Sequence, residues 1–483
     1  MSMPARYVLT LKFAVAMALL AVALLFIVGC TTTDPHRKVK AADYGIPCVE
    51  RVDRECESTS LIRSVVDHEY LLSVVEIDEQ GVLQDTMQRD QLLQELKGKD
   101  DLYMIVFVHG WHHSAQPNDP DVIAFRKRLR FTKLRYPQKQ VVGVYIGWRG
   151  ASLDLPGLRY LTFWDRKEVS EEVGRNGLLP LLLQLESIKN KGNDNVLLLV
   201  GHSFGGSVLF NAVHQTMLQR LVQAPLGSQD IKGFGDLVVL INPAIESMRY
   251  APFHDAIQER GRGPDAFNPQ QPVLLLVAAS VKDDAVTIAF RMGRTLSTML
   301  EAHRDYKAPQ YRMRTKEAVA SQAEMDITAI GHYELHRTHK LDAEHSWVRA
   351  LQKQGLSPKD EKVSYVCPTR DRGWLLKARE RRGNVVAGEQ WTSGNSRSEE
   401  KDGLPRLIKD PSGLMIEHQI GTHPANPYWI AETMGTVIPD HSSITQRHFW
   451  CFVDLVLQEG RGPLAKETPK PVAEPQDASD KVN

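Results

Sequence analysis

"NVLLLVGHSFGGSVLFNAV", Asn195 to Val213, sets Ser203 among glycines where one pattern gives way to another. Val196 to Val200 is a short, continuous apolar run, as in a strand buried on both faces. "SVLFNAVHQTMLQRLV" after it is helix-like. A serine at a sharp strand-to-helix turn is held in a strained conformation that lifts its Oγ above the sheet. Gly201 and Gly205 leave room where a Cβ would meet neighbouring backbone, and Gly206 and Ser207 let the helix come close. Ser203 is therefore a candidate nucleophile. A five-letter G-x-S-x-G pattern settles little alone, so the flanking chain decides.

Working outward, short apolar runs alternate with helical patterns. "YLLSVVEI" (Tyr70–Ile77) precedes the helix-like "DTMQRDQLLQELKGK", and "LYMIVFV" (Leu102–Val108) and "VVGVYIG" (Val141–Gly147) flank "DVIAFRKRLRF". "LLPLLLQLESIK" precedes the opening stretch, and "DLVVLI" (Asp236–Ile241) and "PVLLLVAAS" (Pro272–Ser280) follow it. Gly, Pro and Asn punctuation favours strands over buried helices for these runs. The pattern predicts an α/β fold, a mostly parallel central sheet with helices on both faces, in one domain over 68–459.

The rhythm breaks at about Phe290. An insertion over about 290–425 holds the helical "AFRMGRTLSTMLEAH" and an exposed loop, "RERRGNVVAGEQWTSGNSRSEEKDG", and stands where a cap over a site would stand. A last strand, "YWIAETMGTVI", and a closing helix follow. In that helix Phe449, Phe452, Val453, Val456 and Leu457 share one face. Residues 460–483 are rich in Pro, Lys and Glu and are expected to be disordered.

The chain has 483 residues, 42% hydrophobic and 24% charged, with a formal net charge of zero. That is a globular balance without the basic excess of a nucleic-acid binder. There is no internal repeat, P-loop or dinucleotide fingerprint.

At the N-terminus Arg6 and Lys12 precede an apolar run from Phe13 to Val28, which ends in "IVGC" at Cys30. The run is short for a spanning helix and reads as the core of a signal peptide over 1–29. "IVGC" resembles a bacterial lipobox. The resemblance implies that Cys30 is lipidated and becomes the mature N-terminus, and Thr31 after it implies an outer-membrane protein facing the periplasm. Residues 30–67 are polar and read as a tether. Export permits disulfides, and Cys48 and Cys56 suit a local bridge. Cys451 is expected to be a buried small hydrophobe. Cys367 is left unassigned, and no CxxC spacing suggests zinc.

A nucleophile needs donors for an oxyanion. One is the N–H after the serine, here Phe204; "IVFVHGWHH" offers Trp111 as the second, Gly110 letting the chain turn inward. Strand-"HGW", strand-"GWRG" and strand-"GHSFGG" together resemble the α/β-hydrolase superfamily, a serine esterase or lipase-like branch, over about residues 68 to 457 without much of the insertion. The resemblance implies carboxylic-ester or related acyl chemistry and a triad in the order Ser, acid, His. The "S-x-x-D" spacing from Ser280 then points to Asp283 as the acid, with Asp284 and Glu246 as alternatives. His441, in "IPDHSSITQRHFW", is the expected base, and His332, His336 and His339 are its rivals.

His112 and His113 are expected to line the site or to face solvent, since no distant partner points to a metal. Trp111, Trp148, Phe163 and Trp164 are candidates to wall an acyl pocket, and Arg149 to pair with Asp165 or another carboxylate. The expected function is a membrane-anchored serine hydrolase acting on an ester or lipid-like substrate through an acyl-enzyme, with no cofactor, no metal and no nucleic-acid partner. The alternatives are an acyltransferase or thioesterase of the same fold, or a catalytically silent envelope lipoprotein serving as a scaffold.

Overall fold

In the computed structural model the described residues are Met17, 34–39, 45–51, 56–66, 69–150, 163–225, 231–261, 266–268, 270–298, 300–313, 316–343, 407–409, 414–418, 423 and 425–459. The signal peptide (Met17 apart), Cys30, Cys367, the loop of the insertion and the 460–483 tail lie outside them.

The strands in chain order are β1 (Cys48–Glu50), β2 (Leu61–Ser64), β3 (Tyr70–Ile77), β4 (Leu102–Val108), β5 (Gln140–Trp148), β6 (Val196–His202) and β7 (Leu237–Ile241). They continue with β8 (Leu275–Ser280), β9 (Asp305–Met313), β10 (Lys316–Ser321), β11 (His339–Ala343), β12 (Leu407–Lys409), β13 (Leu414–His418) and β14 (Tyr428–Thr433). Twelve form one sheet in the order β1-β2-β3-β5-β4-β6-β7-β8-β14-β11-β13-β12, and β9 and β10 make a separate antiparallel hairpin. From β3 through β14 to β11 every neighbouring pair is parallel. Antiparallel pairs occur at the flanks, β2 on β3 and β13 on β11 and β12.

Alternation along each strand explains the two-faced burial. Met104, Val106 and Val108 of β4 enter one core; Tyr103, Ile105 and Phe107 enter the other. The first core is roofed by α1 (Thr86–Leu96), α3 and α4 (Phe163–Glu172, Leu179–Lys191), α5 (Phe204–Gln223) and α6 (Ser247–Arg260). The second is roofed by α2 (Pro120–Arg135) and, after the short α7 (Arg291–Ser297) and α8 (Gln322–Ile327), by α9 (Arg447–Glu459). Phe449, Phe452, Val453, Val456 and Leu457 are all buried, as the spacing predicts. Each such side chain contributes about 1.5–3 kcal/mol on leaving water. Among the described residues no helix is long and apolar enough to cross a membrane.

Three expectations are corrected. The tether 30–67 is in part built into the body: β1 and β2 extend the sheet, and Arg37 is only 2% exposed. A buried arginine whose guanidinium donates to main-chain oxygens carries no apolar periodicity, so pattern reading passes over it. The insertion is more than a cap, because β11, β12 and β13 carry the sheet past β14. Cys451 is buried but disulfide-bonded, not a free hydrophobe. The Cys48–Cys56 bridge is present.

Candidate active site

The parallel strands end on one edge, and the loops there bring the sequence-marked residues together. Ser203 follows β6 with φ 55° and ψ −123°, a strained conformation for a residue with a Cβ. The strain is held by main-chain bonds: Ser203 N–H donates to Ile241 O at 3.0 Å and Ala244 N–H donates to Ser203 O at 3.1 Å. A Cβ on Gly205 would fall well inside contact distance of the Val108 and His109 oxygens, and one on Gly201 would meet Gly205 O at 2.6 Å. Both glycines are required by close approach.

Asp283 follows β8 and is fully buried; His441 follows β14. His441 Nδ1–H donates to Asp283 Oδ2 at 2.8 Å, and the Val286 N–H donates to the other Asp283 oxygen at 2.9 Å. That fixes the tautomer, so His441 Nε2 accepts from Ser203 Oγ–H at 2.9 Å. Ser203 is 5% exposed and the His441 side chain 25%, so the imidazole forms the accessible side of the chain.

The alternatives fall elsewhere. Asp284 is exposed. Glu246 is buried in ion pairs with Lys167 at 2.7 Å and with Arg294 and Arg249 at 3.1 Å. The three rival histidines do not converge. His336 packs on His254 and Tyr250, with ring centroids 4.8 and 5.4 Å away, whereas His339 packs on Trp429 at 4.3 Å. His332 is held to a pKa of about 4, chiefly by burial.

The loop after β4 lies directly against the elbow: a Cβ on Gly110 would stand 3.0 Å from Ser203 Cβ. Trp111 and Phe204 meet edge to face, 6.3 Å between centroids. Phe204 opens the 20-residue α5, whose amino end favours negative charge. His109 braces this loop. Its Nδ1–H donates to Gly110 O at 2.9 Å, and its Nε2 accepts the Trp148 N–H at 3.1 Å. Burial holds its pKa near 4, so the imidazole stays neutral.

Trp148 is therefore a brace, not a pocket wall: it is 3% exposed, and its indole N–H donates to His109 O at 2.9 Å. The side chains of Phe163, Trp164 and Asp165 lie outside the described residues. Arg149 pairs with Glu79 at 3.5 Å.

His112 is exposed, with φ 67°, and stacks on Trp111 at 4.0 Å. His113 binds Asp119 at 2.9 Å. Burial opposes its charge, but that bond and the Asp121 and Asp119 carboxylates hold the imidazolium above its ordinary range. Beside it Asp121 is pushed up to about 6 by burial, with the His113 charge pulling the other way.

Sequence reasoning missed two residues behind the base. His202 Nε2–H and Asn242 Nδ2–H both donate to the main-chain oxygen of His441, at 2.8 and 3.0 Å. The first is a letter of the quoted motif, and the second directly follows the apolar run "DLVVLI". The signal was there, but nothing local tells which distant loop they hold.

Comparison of the chain with protein-family models, curated proteins and solved structures finds no match.

Proposed function

We propose that the chain is a serine hydrolase of the α/β-hydrolase fold that cleaves carboxylic esters through an acyl-enzyme. The observation that carries the reading is the chain from Ser203 Oγ to His441 Nε2 at 2.9 Å and from His441 Nδ1 to Asp283 at 2.8 Å. The strained elbow and the parallel order β5-β4-β6-β7-β8-β14 support the same reading.

In this scheme Ser203 Oγ attacks the ester carbonyl while His441 Nε2 takes its proton. The Phe204 and Trp111 amides hold the oxyanion. The C–O bond breaks as His441 returns the proton to the departing alcohol. Water then attacks the acyl-serine, gives a proton to His441, and the acid leaves as Ser203 regains its hydrogen. Asp283 holds the imidazole and steadies its positive charge.

The reading includes a lipid anchor at Cys30 and a place on the outer membrane facing the periplasm. The "IVGC" motif supports the anchor, and the Cys48–Cys56 bridge supports an oxidising compartment. An ester panel of increasing acyl length, run on the native chain and on Ser203→Ala, tests the chemistry. Cleavage by the native chain alone supports it, and equal cleavage by both rejects it. Labelling with a palmitate analogue tests the anchor, which requires that Cys30→Ser lose the label.

A further inference from the structure

The chain enters the folded body on the edge of the sheet that carries the triad. We infer that this holds the site's mouth against the membrane, and that its substrate is a long-chain acyl ester lying in that membrane. The inference rests on the hydrolase and anchor readings above and names their substrate class.

Arg37 locks the entering strap to the body. Its Nε–H donates to Ala115 O at 2.8 Å and its Nη1–H to Glu57 O at 2.6 Å. The main-chain N–H groups of His36 and Arg37 donate to the two Glu76 oxygens, at 2.9 and 2.8 Å, and Gln88 Nε2–H closes on Arg37 O at 2.7 Å. Arg37, Glu76 and Gln88 are each at most 2% exposed. Breaking one partner of such a buried node is costly, so the strap is held firmly.

Register places this node relative to the nucleophile. Glu76 is paired with Gly147, Val108 with Ile146, and Val108 with Gly201. One residue further along, Glu76, Gly147, His109 and His202 make a single row across β3, β5, β4 and β6. Three strand spacings span about 14 Å. Glu76, which grips the strap, and His202, which precedes Ser203, thus lie on the same carboxyl edge. Gly147 makes the row passable: a Cβ there would stand 2.7 Å from Ala115 Cβ and 2.9 Å from Glu76 Cγ.

The leash is short. Only Thr31, Thr32 and Thr33 separate Cys30 from Asp34, where the described strap begins. At full extension the step from Cys30 to Asp34 reaches about 14 Å, and that to Arg37 about 25 Å. A seven-residue strand is itself about 23 Å long, so an anchor at Cys30 favours the carboxyl edge as the face turned to the bilayer. A free tether over 30–67 would have left the orientation open.

The test uses the full chain in phosphatidylethanolamine–phosphatidylglycerol vesicles containing a fluorogenic long-chain ester. Fluorophores are placed through Gln116→Cys, exposed on the carboxyl edge, and Gln138→Cys, exposed on the amino edge. Headgroup nitroxide lipids are expected to quench the first and spare the second. Equal or reversed quenching overturns the inference, as does failure of the chain to float with the vesicles. A flexible Gly-Ser linker of about 30 residues after Thr33 is expected to slow cleavage of the embedded ester about tenfold and leave a soluble short-chain ester unaffected. Undiminished cleavage of the embedded ester also overturns it. If the native chain cleaves neither ester, the hydrolase reading fails, while the quenching pattern still decides the orientation.

Discussion

His202 Nε2–H donates to the main-chain oxygen of His441 across 2.8 Å, so the residue before the elbow serine holds the residue that faces it. Asn242 joins the grip from the end of β7, at 3.0 Å, and its side-chain oxygen accepts the Ser280 N–H at 2.8 Å. Ser280 Oγ–H in turn donates to Ile438 O at 2.6 Å. Three adjacent strand ends thus hold the loop 438–441. His202 acts on the site through the main chain of His441, which makes it a positioning residue.

His202→Ala is expected to lower kcat for ester hydrolysis by about tenfold to a hundredfold with KM little moved, because a misplaced base costs rate and not binding. His202→Gln, with an amide N–H for the same oxygen, is expected to recover much of the loss. Steady-state kinetics on a soluble ester read both. An effect confined to KM contradicts the role.

The two adjacent aspartates separate cleanly. Asp283→Asn is expected to cut kcat by about 10⁴, since the imidazole loses its tautomer and its counter-charge. Asp284 is exposed and the His441 hydrogen bond goes to Asp283, so Asp284→Asn is expected to stay within about twofold of the native rate. Reversed effects reassign the acid.

Gly205→Ala is expected to destabilise the fold by about 3 kcal/mol or more, because the new methyl meets main-chain oxygens of β4 and its loop that cannot retreat. Thermal unfolding measures it. A wild-type midpoint means that the elbow and β4 lie further apart.

Acid should unfold the protein steeply. His109, His254 and His332 are held by burial to about 4, 3 and 4, and burial also keeps His202 and His336 well below 6.5. Each is depressed in the fold, so the stability it contributes is complete above pH 6.5 and is lost as pH falls toward the folded value. For His109, His254 and His332 a shift of this size is worth on the order of 3 kcal/mol each. His113 and Asp121, both raised, have the opposite sign, two groups against these five. Circular dichroism against pH is expected to find cooperative loss of structure between about pH 6 and 4. A flat profile to pH 4 rules out five buried neutral imidazoles.

The sequence makes the parallel core and the elbow legible because both are written locally. Continuous apolar runs mark strands buried on two faces, and Gly201, Ser203 and Gly205 fall where one run turns into a helix. Asp283 and His441 become candidates only through the resemblance, whose order Ser, acid, His and S-x-x-D spacing pick them out at their strand ends. Arg37, Asn242 and the bonded Cys451 are different. Each is defined by a partner far along the chain or outside the described residues, and no periodicity registers such a contact. Strands β11 to β13 escaped for a related reason: they are short, flank the sheet and sit inside a polar insertion.

Reaction of the folded chain with a fluorophosphonate, read by mass on the tryptic peptide holding Ser203, reports most directly on whether this serine is an activated nucleophile. Adduct on Ser203 is expected, absent in Ser203→Ala and strongly slowed in His441→Ala. A folded chain that takes no adduct at Ser203 would contradict the assignment.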